Sequence, residues 1–244
     1  MYKETIGIVG GFGAYATLDF FGRLLECFPA EKEYERPRII MDNNFPMPSR
    51  VRAILYGEHY EQIVEQIAAS VDYLLQGRAD KIILVCSTAH AFLPEVLKKI
   101  PSAADKIISL TECTAVNMKK ENVTECIIVG SEGTLDTCVY DRLLDREGIA
   151  VHKPDSEQYP QIRAFIESVK QKNITDKLMN DYVEFCSKLA DKHKTRNIIL
   201  ACTELPVLTK CVENTERKLS NIWCDIKFWD PLDCVLSELK DTLK

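Results

Sequence analysis

Cys86 lies in the run IILVCST at 82–88, and Cys202 lies in the closely similar run IILACTE at 198–204. Each follows a short apolar β segment and precedes Ser or Thr residues that can cap a helix, so each sulfur belongs at the carboxyl edge of a sheet, beside a helix start. Free N–H groups and the helix dipole at such a place lower a thiol pKa from about 8.5 towards neutrality, which suits proton transfer. One such thiol would suggest a nucleophile, but that role needs a His partner and an orienting carboxylate. His90 is near Cys86 in the chain, and nothing of the kind accompanies Cys202. Two equivalent acid/base groups on opposite walls of one cleft have a different use: one takes a proton from one face of a carbon while the other returns a proton to the opposite face, as racemisation of an amino acid at Cα requires.

The elements that must hold these thiols are written twice. The first half opens with Ile6, Gly7, Ile8, Val9, Gly10 and then Gly13; the second opens with Cys126, Ile127, Ile128, Val129, Gly130 and then Gly133. Arg-Leu-Leu follows at 23–25 and again at 142–144, and the two cysteine runs come third in the same order. Short apolar runs alternating with segments of helical period predict strands over 5–9, 38–41, 81–85, 106–109, 125–129, 197–201 and 226–229, with helices that include 59–76 and 176–192. The reading is an α/β protein of two similar, doubly wound parallel-sheet domains related by a pseudo-two-fold axis, with the ligand in the cleft between them. The first domain is expected to comprise 1–108 plus 224–244 and the second 109–223, so that the helix beginning at Pro231 returns to the first.

The 244 residues are 46% hydrophobic and 28% charged, enough for real cores, and no apolar run is long enough to span a bilayer. The opening MYKETIGIVGG has no signal-peptide pattern, and the expectation is a cytoplasmic protein without a membrane partner. A net charge of −6 without a basic block argues against nucleic acid as a partner. The ten cysteines include no Cys-x-x-Cys pair, so neither a zinc site nor a disulfide scaffold is expected. Cys27, Cys113, Cys126, Cys138, Cys186, Cys211, Cys224 and Cys234 read as small buried hydrophobes. His59, His90, His152 and His193 form no separate constellation; His90 reads as a helix-start residue near the pocket.

At four places the chain resembles the aspartate/glutamate racemases, a resemblance that extends over essentially its whole length. IGIVGGFG at 6–13 is similar to that family's Gly-Gly-Met-Gly loop, and NNFPMPSR at 43–50 to its Asn-Asn…Ile-Pro-Asp-Arg segment. CSTAH at 86–90 resembles Cys-Asn-Thr-Ala-His, and ACTELP at 201–206 resembles Gly-Cys-Thr-Glu; these two are the specific ones. The resemblance implies a racemase that uses neither pyridoxal phosphate nor metal, with Cys86 and Cys202 as the proton-transfer pair. It also implies that Arg50, with Arg52 as a second candidate, pairs with a substrate carboxylate, and that Lys170 in FIESVK lies beside the ligand. Ser87, Thr88, Thr203 and Glu204 would surround the ammonium and α-carboxylate, with Phe12 in the substrate-binding loop. A homodimer is what the family commonly forms. Ser87 in place of Asn, Phe12 in place of Met, Ala14 in place of Pro and Ser49 in place of Asp depart from the pattern, and they bear on the substrate more than on the reaction. Aspartate is the first expectation and glutamate the second.

Three other readings compete. Gly11 to Ala16 fits G-x-G-x-x-A after a strand, as in nicotinamide-dependent oxidoreductases, but the acidic candidate Asp42 lies about thirty residues on, where roughly twenty is usual. Maleate-type isomerases and hydantoin racemases resemble the chain more distantly and also use cleft cysteines. A two-domain amino-acid sensor fits the architecture but leaves the cysteine pair unexplained.

Overall fold

The computed structural model describes residues 2–215 and 221–243. In the first half β1 (Thr5–Gly10) runs into α1 (Ala14–Cys27), and β2 (Arg38–Asn43) into α2 (Arg50–Tyr56) and α3 (Tyr60–Gln76). β3 (Lys81–Leu84) then leads through a 3-10 turn to α4 (Leu93–Lys99), and α5 (Leu110–Lys120) carries the chain to the second half. There β4 (Glu125–Gly130) precedes α6 (Glu132–Thr137) and α7 (Asp141–Arg146), and β5 (Ala150–His152) precedes α8 (Tyr159–Lys170) and α9 (Asp176–His193). β6 (Asn197–Ala201), α10 (Glu204–Glu213), α11 (Asn221–Asp225), β7 (Lys227–Trp229) and α12 (Pro231–Thr242) complete the chain.

All strand pairs are parallel, and the strands run in the order β2-β1-β3 in one sheet and β5-β4-β6-β7 in the other. A single bridge between Ile82 and Ile107 extends the first sheet beyond β3, so both halves follow one plan. The strand expected over 106–109 is reduced to that bridge because the Ser109 hydroxyl accepts a hydrogen bond from Glu112 N and starts α5. β5 was not expected from the sequence: three residues after the left-handed Gly148 are too short to show a period. The segment 224–244, expected to join the first domain, holds β7 and α12. β7 pairs with β6 in the second sheet, while α12 packs on α1 and α5. Of the two expected domain ranges, residues 1, 216–220 and 244 lie outside the described residues.

Side chains alternate across each sheet, as strand geometry requires. Ile6, Ile8, Ile83 and Val85 of the first sheet and Cys126, Ile128, Ile199 and Ala201 of the second enter one inner core, filled between the sheets by α1, α5, α7 and α12. The alternate residues face outward: Val9, Ile82 and Leu84 meet α3 and α4, whereas Ile127, Val129, Ile198 and Leu200 meet α8, α9 and α10. The shared inner core fixes the two sheets against one another and thereby sets the distance between their carboxyl edges. All ten cysteines are free. Cys27, Cys113, Cys126, Cys186 and Cys234 are buried as expected, but Cys138 and Cys211 are half-buried and Cys224 is exposed. Among the described residues, no helix is long and apolar enough to cross a membrane.

Candidate active site

The carboxyl ends of β1, β3, β4 and β6 open on one cavity of about 300 Å³. All ten side chains singled out in the sequence line it: Phe12 after β1, Arg50 and Arg52 on α2, Cys86, Ser87 and Thr88 after β3, Lys170 on α8, and Cys202, Thr203 and Glu204 after β6. This is the crevice at strand ends where parallel α/β sheets bind ligands. Two glycines of the first loop make its geometry possible. Gly11 is left-handed at φ 82°, and a Cβ there would lie 2.6 Å from the Asn44 backbone. At Gly13, which begins α1, a Cβ would lie 2.0 Å from Glu204 Oε1. The first loop is therefore seated directly on a carboxylate of the second half.

Cys86 is held by its backbone. Its N–H donates to Leu84 O at 2.8 Å, and His90 Nδ1 lies 2.9 Å from Cys86 O. Leu110 N donates to His90 Nε2 at 3.0 Å, so the proton of this imidazole is on Nδ1 and is given to the Cys86 carbonyl. Burial drives the His90 pKa down to about 4, against the raising effect of the Cys86 and Ser87 backbone, and the ring stays neutral. His90 is thus a buried brace between the Cys86 turn and the start of α5. The next two hydroxyls are committed to the second half. Ser87 Oγ is 2.8 Å from the buried Tyr140 hydroxyl, while Thr88 Oγ1 is 2.9 Å from Ser131 Oγ and 2.8 Å from Thr134 Oγ1. These hydrogen bonds lock the Cys86 loop across the cleft, and both residues line the cavity.

Cys202 differs in its electrostatics. Its Sγ donates to Glu204 Oε2 at 3.0 Å. Burial pushes the thiol well above its ordinary pKa, and the Glu204 charge and hydrogen bond add to the effect, with Lys170 opposing. A helix start was expected to lower this pKa; desolvation and a carboxylate two residues on outweigh it. Lys170 stays cationic: burial disfavours its charge, but Cys202, Glu204 and Glu167 more than compensate. Its Nζ also pairs with Glu167 Oε1 at 2.9 Å.

The two arginines part company. Arg50 donates to Phe12 O at 2.6 Å and Pro48 O at 3.0 Å, lies over the Phe12 ring, and keeps a buried Nε without a partner. It has no carboxylate partner among the described residues. Arg52 instead gives both arms of its fork to Glu58, at 2.6 and 2.5 Å, and its side chain is 59% exposed. It borders the cavity with its fork turned to Glu58. Sequence reasoning missed Tyr140, Ser131, the Arg163–Glu132 ion pair, and Tyr159, Ile166 and Glu167. Only the α8 residues carried a signal: positions 159, 163, 166, 167 and 170 share one face of a helix. Among the described residues, no group of three or more His, Cys, Asp or Glu could hold a metal ion.

The family model for Asp/Glu/hydantoin racemases matches residues 9–237, a span that contains both cysteine turns, α2 and α8. The chain belongs to the Asp/Glu/hydantoin racemase family. A glutamate racemase of Aquifex aeolicus is 23% identical over 187 residues, which is 75% of this chain and 66% of that protein, just under two thirds of its length. Among solved structures, the aspartate racemase of Picrophilus torridus superimposes with a TM-score of 0.76 at 22% identity, covering 98% of this chain and 94% of its own. The glutamate racemase of Campylobacter jejuni gives 0.66 at 18% identity, with 98% and 88% covered. At these identities the structures speak for the fold, and the α/β architecture is theirs.

Proposed function

We propose that this protein is a cofactor-independent amino-acid racemase acting on aspartate first and glutamate second, with Cys86 and Cys202 as its two bases. The observation that carries the reading is that the thiols, set at the carboxyl ends of equivalent strands, line one cavity. With Cα between them, Cys86 as thiolate takes the α-proton while Cys202 delivers its own proton to the opposite face; the roles reverse for the other enantiomer. The Cys202 thiol, donating to Glu204, is poised as the acid. When it must act as the base, Glu204 is the carboxylate in reach of its proton, and Lys170 offsets the charge left on sulfur. Arg50, held by two carbonyls and without a carboxylate partner among the described residues, is suited to anchor one substrate carboxylate, and Lys170 is the second cation for a dicarboxylic substrate. A cytoplasmic location fits this role.

The test is α-proton exchange in D₂O, followed by NMR under reducing conditions with no added cofactor, for each enantiomer of a panel led by aspartate and glutamate. Exchange with inversion of aspartate is expected. Exchange of a hydantoin alone would move the substrate to that branch of the family. No exchange of any amino acid or hydantoin, with free thiols verified, would overturn the reading in favour of an isomerase or a sensor.

A further inference from the structure

Most of the charged side chains that line the cavity are already paired within the chain. Arg52 is held by Glu58, Arg163 by Glu132 and Lys170 by Glu167. Two lining charges remain that form no ion pair with any described residue, the cation Arg50 and the anion Glu204. One positive and one negative charge match the carboxylate and the ammonium of an amino acid, with nothing left over for a charged side chain. A second carboxylate gains a cation only by taking Lys170 from Glu167. That pair spans one turn of α8, and exposed pairs of this kind hold weakly, so aspartate can open it but the site does not require a dicarboxylate.

The hydroxyls beside Cys86 are satisfied in the same way. Ser87 Oγ is taken by Tyr140, and Thr88, Ser131 and Thr134 close a triangle of hydrogen bonds with sides of 2.9, 2.8 and 3.0 Å. An apolar group laid against them strands no donor or acceptor. The same cavity has an apolar wall, formed by Val51 and Leu55 on α2 and by Tyr159 and Ile166 on α8. Val51 sets the start of this wall next to the Cys86 turn: a Cβ on Gly133 would meet Val51 Cα at 3.3 Å and Thr88 Cγ2 at 3.2 Å. Ile166 is buried, and Val51, Leu55 and Tyr159 are half-buried, so each still has apolar surface to lose to a ligand.

We propose that the protein has a second class of substrate, amino acids with an apolar side chain, which Arg50 and Glu204 hold by the carboxylate and the ammonium while the side chain lies on the wall between α2 and α8. The inference rests on the two-cysteine racemase reading above: the α-proton passes between the same two thiols, and only the side-chain subsite is new. With such a substrate the Lys170–Glu167 pair stays closed, and no charge of the cavity is left without a partner.

The test is α-proton exchange of the full wild-type chain in D₂O, read by NMR, for aspartate beside the series alanine, 2-aminobutyrate, norvaline and norleucine. Each methylene added along the series and buried against the wall should raise kcat/KM about fourfold. Exchange of aspartate with a silent or flat series overturns the inference and leaves the racemase reading standing. Exchange of the rising series without aspartate upholds the inference and removes only the dicarboxylic preference, whereas no exchange of any amino acid overturns both. Leu55→Arg then locates the subsite: a charge set in the wall should lower the ratio of norleucine to aspartate turnover by about tenfold or more, and an unchanged ratio refutes the wall as the place of the side chain. Should that variant not fold, the slope of the wild-type series decides alone.

Discussion

Replacing Gly13 with Ala probes the contact between the two halves at the Glu204 carboxylate. The added Cβ would lie 2.0 Å from Glu204 Oε1 and 3.1 Å from its Cδ, whereas non-bonded heavy atoms need about 3.3 Å or more. Glu204 must therefore retreat by about 1.3 Å or swing away. Either movement breaks the 3.0 Å bond from Cys202 Sγ. The backbone bears the change easily, because Gly13 is extended at φ −147° and ψ 123°, open to any L-residue. Loss of a glycine from the start of α1 costs at most about 1 kcal/mol, or a few degrees in Tm. Misplacement of a catalytic group by about 1 Å costs on the order of a hundredfold in rate, so kcat/KM should fall by about that factor while the protein stays folded. Racemisation followed by circular dichroism, with a thermal melt on the same sample, reads both quantities. The background variant Glu204→Ala supplies the control: once the carboxylate is gone, Gly13→Ala should cost nothing further. A hundredfold loss that persists in that background would show that the contact with Glu204 is not the route, and full activity in Gly13→Ala alone would refute the argument outright.

Cys86→Ala and Cys202→Ala should each abolish racemisation without unfolding the protein; full activity of either variant would end the two-base mechanism. Arg50→Ala should raise KM for a dicarboxylic substrate roughly ten- to a hundredfold through loss of a charged hydrogen bond, and an unchanged KM would remove Arg50 from the site. His90 gives a pH signature in stability. Its folded pKa of about 4 lies below the unfolded 6.5, so the unfolded chain binds the proton more tightly. The corresponding stability is present in full above about pH 6.5 and is lost as pH falls through about 4, amounting to roughly 3 kcal/mol. Urea midpoints between pH 7 and 4 should fall more steeply for the wild type than for His90→Gln, and equal slopes would contradict a buried neutral imidazole.

The residues themselves determined the layered α/β plan, because period-two burial in runs such as IILVC and helical period in segments such as 176–192 are local properties of the chain. The repeated order of landmarks also placed Cys86 and Cys202 at equivalent strand ends, and the cavity there gathers every residue singled out in advance. What local pattern could not supply were pairings between distant residues and the effects of burial. The proton on Cys202 depends on desolvation and on where the Glu204 carboxyl swings, and the pairing of Arg52 with Glu58 depends on how the chain turns after α2. Tyr140 carries no motif, since its hydroxyl meets Ser87 only after the halves have packed. β7 joined the second sheet because β6 offered it a free edge, which no periodicity in three residues could announce. Sequence settled which chemical groups stand at the strand ends; packing two sheets on one shared core decided which of those groups are already occupied, and so which are free to act.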